Sequence, residues 1–192
     1  QNEFDPQEIK RLTAVTQNNP KTILALLGLV EQGIPLPHLL SAITSGTPEA
    51  DNLYDMVIDQ AWEEILTEPD KAVLMAKAFF SRSVSETDLG QVAGVDGNLL
   101  RETTKTLAAI SFFEFERVRQ HGLRIRTHPL AQDFARRVLH DHAEFECEAE
   151  ERWWKEYAPN VIQKAGQTAY ESRRPELEDD VANVVEHLEH HI

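Results

Sequence analysis

His187, Glu189, His190 and His191 are the densest group of metal-ligand side chains in the 192-residue chain. His187 and His191 stand four apart, so a helix would set them on one face. Zinc-protease chemistry needs a Glu directly after the first His as general base, and Leu188 stands there instead. A terminal helix also lacks the outer partners that orient metal ligands, so no metal site is expected. His140 and His142 are two apart and would point in different directions on a helix. Gly28 and Gly33 have the spacing of a phosphate-cradling loop. Ile34 and Pro35 follow them where Lys and Ser or Thr would hold the phosphates, so the pair reads as a helix end. No serine sits in a Gly-x-Ser-x-Gly turn. The single cysteine, Cys147, lies among Glu146, Glu148, Glu150 and Glu151, whose charge suppresses a thiolate; it reads as a buried or half-buried structural thiol. The carboxylates fall mainly on solvated helix faces, with no pair whose surroundings would drive their pKa values apart. No catalytic residue is expected, and the chain reads as non-enzymatic.

Positive charge gathers in one place. Between Gly97 and Thr127 the basic residues are Arg101, Lys105, Arg117, Arg119, Arg124 and Arg126, against the acids Glu102, Glu114 and Glu116. The chain as a whole carries -14, which repels nucleic acid and anionic membrane. The segment that would enter a DNA groove holds only Arg101 and Lys105, with Glu102 between them, whereas DNA readers set several donors there. Phosphate contact by these six residues is therefore an alternative reading. A solvated wing or a protein contact is preferred.

The elements that must position these residues are mostly helices. Asp5-Pro6-Gln7-Glu8 is a capping box with Pro at the first helical position, and Ile9, Leu12 and Ala14-Val15 supply the buried stripe. Asn19-Pro20 starts a second helix, with Ile23, Leu24, Leu26, Leu27 and Val30 inward, ended by Gly33. A short helix follows from Pro37 to about Thr44. Thr47-Pro48 opens a fourth, with Leu53, Val57, Ala61 and Ile65 at helical spacing. Glu68-Pro69 opens a fifth, Ser85 caps a short one ended by Gly94, and another runs from about Asn98 to Ile110. Then the period changes to two. Phe113, Phe115 and Arg117 alternate with Glu114 and Glu116, and beyond a turn at Gly122, Leu123 and Ile125 alternate with Arg124 and Arg126. Three helices followed by such a hairpin is the order of a winged helix. A lone hairpin is marginal, so Phe113, Phe115, Leu123 and Ile125 are expected to pack on the helices before it. Pro129 starts a further helix, and a long one runs from about Ala143 to about Lys164 with Phe145, Ala149, Trp153 and Tyr157 inward. Ala165-Gly166 and the stretch near Glu171–Pro175 read as loops. A last amphipathic helix carries Leu177, Val181, Val184-Val185 and Leu188.

Hydrophobic residues make up 41% of the chain, enough for a packed core. One cysteine excludes an internal disulfide and fits a reducing compartment, and no apolar run is long enough to span a bilayer. A cytoplasmic location is expected. The chain opens on Gln1, without Met or a signal region, and reads as cut from a longer protein.

Two segments carry a family resemblance. Asn18-Asn19-Pro20-Lys21-Thr22-Ile23-Leu24-Ala25-Leu26 resembles the Gly-x-Pro motif of STAND signalling ATPases, the NB-ARC proteins among them, with Asn18 where the family usually has Gly. Leu123 to Leu130, followed by Asp133-Phe134-Ala135, is similar to the end of that family's winged helix, where a strand delivers the histidine of a Met-His-Asp type motif. Thr127 and Pro129 replace the Met and Asp. The resemblance covers roughly residues 5 to 140. It implies that Pro20 packs on an adenine and that His128 contacts the β-phosphate of ADP held by a nucleotide-binding domain. Mg-bound ADP or ATP would then belong to the parent protein, because this chain has no Walker A lysine and no Walker B strand.

The expected architecture is mainly α: a helical module over 1–66, a winged helix over 67–139 and a helical extension over 140–192, the start of tetratricopeptide-like repeats. The expected role is a non-catalytic regulatory segment that senses nucleotide through Pro20 and His128, with its parent's NTPase domain, other protein domains or self-assembly as partners. The alternatives are a DNA-binding transcription regulator and a protein-interaction scaffold.

Overall fold

The computed structural model describes residues 5–45, 50–118, 122–167 and 175–190, and within these the fold is mainly α with one small antiparallel sheet. Helices α1 (Pro6–Val15), α2 (Pro20–Glu31), α3 (Leu36–Ser45) and α4 (Ala50–Glu64) come first. Asp5 closes the expected capping box, accepting from the Gln7 amide at 3.1 Å while Glu8 accepts from the Asp5 amide at 3.1 Å. Asn19 caps α2 through the Lys21 amide, and Gly33 takes φ +105° in the turn after it. The expected start of α4 at Thr47-Pro48 lies outside the described residues.

A winged helix follows. Its elements are α5 (Glu68–Ala76), a 3-10 turn (Lys77–Phe79), β1 (Val84–Ser85), α6 (Glu86–Ala93), α7 (Gly97–Ala109), β2 (Phe113–Val118) and β3 (Gly122–Thr127). Thr67 and Asp70 form a capping box for α5, Ser85 caps α6, and Gly94 ends α6 in the left-handed conformation at φ +72°. The sheet has three strands in the order β1-β3-β2, one more than the hairpin expected from sequence. Val84 pairs with Ile125 and Ser85 with Arg124, a strand too short to alternate visibly. The hairpin register sets Phe115 opposite Ile125 and Glu114 opposite Arg126. Phe113 and Ile125 are buried as expected, but Phe115 and Leu123 are 38% and 42% exposed. Phe115 lies on the edge strand and Leu123 next to the turn, where the helices give less cover.

Helix α8 (Pro129–His140) leads into α9 (Ala143–Arg152), a π turn (Trp153–Tyr157) and α10 (Ala158–Gln167). These last three form one helical run, so Ala165 and Gly166 are helical rather than loop. Helix α11 (Pro175–His190) packs back along it, with Tyr157 meeting Asp180 and Trp153 meeting His187. The apolar stripe expected on α11 is turned: Asp180, Asn183 and Val184 are buried, whereas Val181, Val185 and Leu188 remain partly exposed. Leu24 is likewise exposed on α2.

The buried apolar residues form one cluster from Leu12 to Val184. The N-terminal helices join the winged helix closely. A Cβ on Gly28 would lie 2.3 Å from the Ala109 carbonyl oxygen, so Gly28 is a point of helix-to-helix approach within α2, not a helix end. Trp62 of α4 meets Phe134 of α8 edge to face at 5.7 Å. No helix among the described residues is long and apolar enough to cross a membrane.

Candidate functional site

The loop before α2 turns on two residues in the left-handed region, Gln17 at φ +50° and Asn18 at φ +59°. Glycine adopts that conformation without cost, and asparagine is among the side chains that tolerate it best. Pro20 then occupies the first turn of α2, where its missing N–H and fixed φ suit a helix start. The next residue, Lys21, reaches across to β2 and forms an ion pair with Glu114. This contact holds Glu114 below the usual carboxylate range.

His128 stands where β3 ends and α8 begins. It is the N-cap of α8, with Nδ1 accepting from the Leu130 amide at 3.4 Å. Nδ1 acting as acceptor leaves the proton of a neutral ring on Nε2. Partial burial and then the Lys21 charge lower the His128 pKa, opposed by Glu114. The beginning of α2 and the exit of the wing are thus electrostatic neighbours. Lys21, the residue after Pro20, and Glu114 both stand within electrostatic reach of His128.

The basic residues of the hairpin do not act as a set. Arg101 and Lys105 are exposed on α7, and Arg117 is exposed on β2. Arg126 is half exposed and bonds Glu116 at 2.8 Å. Arg119 lies outside the described residues. Arg124 departs from the phosphate-contact reading altogether, being 4% exposed beneath α11. Its Nη2 donates to Asp180 Oδ1 at 2.6 Å and to the Ser83 carbonyl at 2.7 Å, and its Nε donates to Ser83 Oγ at 2.7 Å. Alternation correctly turned Arg124 away from the winged-helix core; α11 then covers that outer face.

The network extends beyond the pair. The Tyr157 hydroxyl donates to Asp180 Oδ1 at 3.3 Å, and burial with the neighbouring Asp180 charge pushes its pKa up, so it remains a donor. Asn183 donates to the Ser83 carbonyl at 3.2 Å and accepts the Arg82 amide at 2.7 Å. Burial raises the Asp180 pKa, and Arg124 pulls the other way without cancelling it. Nothing in the spacing of Arg124, Tyr157 and Asp180 announced this network. Tyr157 at an inward helical position was the one legible member.

The remaining candidates are resolved simply. His187 packs among rings, 4.1 Å from Trp153 and 5.4 Å from Phe79, while His191 lies outside the described residues. Among the described residues no cluster of His, Cys, Asp and Glu could hold a metal ion. Cys147 is exposed, not buried, because Ala149 and Trp153 take the inward positions of that helical run. Lys77 is a buried cation that the sequence did not single out. Its Nζ donates to the Phe80 and Arg82 carbonyls at 2.6 and 3.2 Å and to Gln132 Oε1 at 3.2 Å. Burial, then the Arg136 charge, lower its pKa to about 7 against the pull of Asp179. No family model, curated protein or solved structure matches the chain.

Proposed function

We propose that this chain is a non-catalytic regulatory segment of a STAND-type nucleotide-dependent signalling switch. The observation that supports the reading is the Lys21–Glu114 ion pair, which sets the residue after Pro20 within electrostatic reach of His128. Pro20 and His128 are the two residues that the resemblance assigns to one nucleotide, and they are far apart in sequence. The backbone of Asn18 adds support, since φ +59° is the conformation for which a motif glycine would be used. In this reading Pro20 packs on the adenine and His128 donates to the β-phosphate of ADP held by a separate NTPase domain in the cytoplasm. Replacing ADP with ATP changes that phosphate contact and biases a two-state interface between the helical module and the winged helix. The helices after residue 140 relay the change to protein partners, as the first turns of a repeat array.

Two measurements test it. In this chain, Lys21→Met should raise the His128 pKa in an NMR titration, because it removes the positive charge that lowers it; an unmoved His128 would refute that proximity. In a longer form carrying an NTPase domain, His128→Ala should reduce the ADP that co-purifies. Full retention of ADP in that variant would overturn the sensing role.

A further inference from the structure

The sheet is incomplete on one side, and the gap is a cleft. Strand β1 pairs with β3 only at Ile125 and Arg124, and the chain before Val84 departs from the ladder. A cleft of about 240 Å³ opens there, lined by Lys77, Arg82, Ser83, Arg126, Thr127 and Asp179 among others. Three side chains of positive type face one carboxylate. Asp179 is already engaged, accepting from Ser83 Oγ. Arg82 and Arg126 reach Glu186 and Glu116, but each arginine is 56% exposed, and such exposed pairs exchange partners at little cost.

A second feature points to a missing occupant. The Thr127 hydroxyl oxygen is buried and has no hydrogen-bond partner among the described residues. A buried hydroxyl left without a partner is costly, and native structures supply one in the large majority of cases. The hydroxyl lies beside cations in a polar cleft, so a partner rich in acceptor oxygens and negative charge fits. No aromatic side chain lines the cleft to stack a base, and the net charge of -14 disfavours polyanions. We propose that this cleft binds a single tetrahedral oxyanion, inorganic phosphate or a phosphomonoester. Thr127 supplies a hydroxyl, Arg82 and Arg126 supply direct donors, and Lys77 contributes charge from beneath; the Ser83 hydroxyl stays with Asp179. Lys77 has all three donors committed, so its part is electrostatic.

The site adjoins the nucleotide contact assigned to His128, because Arg126 stands opposite Glu114 in the hairpin and its charge helps lower the Glu114 pKa. The two readings still fail separately: this one is read by sulfate binding to the chain alone, and Thr127→Val changes no charge near His128, whereas the other is read by ADP retention and the His128 titration. Sulfate is the first probe because its charge is constant near neutral pH. Sulfate should raise the unfolding temperature above that in chloride at equal ionic strength, and calorimetry should give a saturable isotherm. Thr127→Val, which replaces an unpartnered hydroxyl by a methyl and should fold normally, should weaken binding about fivefold. Arg126→Gln should weaken it about tenfold. Affinity should rise as pH falls through about 7, where Lys77 gains its proton beside Arg82, Arg126, Arg136 and Asp179. Phosphate and a phosphomonoester titrated in parallel separate the two sources: tighter binding of the ester assigns the site to a phosphorylated metabolite, and equal binding assigns it to free phosphate. Sulfate acting no better than chloride, or binding unchanged in both Thr127→Val and Arg126→Gln, would overturn the proposal.

Discussion

Asp180→Ala should be the most damaging single substitution at the wing. Both members of the Arg124–Asp180 pair are nearly dry, with side chains 5% and 8% exposed. Removing one partner of a buried pair typically costs about 3–5 kcal/mol, because the surviving charge stays desolvated. Arg124 would keep both bonds to Ser83, which places the expected loss near the low end, about 3 kcal/mol. For a chain of this size that corresponds to a fall in unfolding temperature of roughly 6–12 °C. Urea unfolding followed by circular dichroism measures the loss. Hydrogen exchange should locate it, with amides of α11 and β1 losing protection before those of α7. The double variant Arg124→Met, Asp180→Leu should recover most of the stability, since apolar groups can replace a buried pair at little cost. The pH dependence has a definite sign. The folded Asp180 carboxyl binds its proton more tightly than the unfolded one, so this group alone favours folding in acid, and that contribution disappears as pH rises through the folded pKa. A loss below about 1 kcal/mol for Asp180→Ala, the range of exposed pairs, would refute the burial argument.

Two further outcomes follow from single residues. Lys77 is lowered from 10.5 to about 7 in the fold, so the unfolded chain holds the extra proton between those values; stability should rise with pH across that window by up to about 1.4 kcal/mol per unit. Lys77→Met should flatten the rise whatever its effect on absolute stability, and urea midpoints across the window would expose an unchanged slope if the assignment is wrong. Asn18→Ala should destabilise by about 1 kcal/mol because of the left-handed backbone, whereas Asn18→Gly should be close to neutral; equal unfolding temperatures for the two variants would contradict the strain.

Local signals made most of the helices legible. The capping box at Asp5, the prolines at helix starts and the glycine at the end of α6 act within one turn, and the fold uses them as read; the box at Thr67 was not read from sequence. The hairpin was visible because alternation survives over six residues per strand. Strand β1 was not, because two residues show no period and Ser85 is also a helix cap. Burial on outer faces was hidden for a different reason. Period two can say that Arg124 and Ile125 face opposite ways, but not that a helix distant in sequence will cover the Arg124 side. The face of α11 was misjudged for the same cause: Asp180 and Asn183 turn inward because Arg124, Ser83 and Tyr157 offer them partners. Pro20 and His128 could be named from sequence, but the Lys21–Glu114 pair, which starts at the residue after Pro20 and acts on His128, is a product of the fold alone.

Two parts of the wing's outer face are held with unequal strength, and that inequality determines where a switch would give. On the α11 side the contacts are buried, charged and shared among Ser83, Arg124, Tyr157, Asp180 and Asn183, so opening them costs several kcal/mol, by the scale of about 3–5 kcal/mol for one broken buried pair. On the α2 side the polar link is Lys21–Glu114, with side chains 38% and 51% exposed, worth about 1 kcal/mol or less. Helix α2 also approaches the end of α7 at Gly28, a contact made by small size rather than by an interlocking side chain. The wing and the C-terminal helices should therefore move as one body, and any swing driven at His128 should break the Lys21–Glu114 link first. In the proposed switch β3 would link the two sites directly, because it carries His128 just past one end and Arg124 within it.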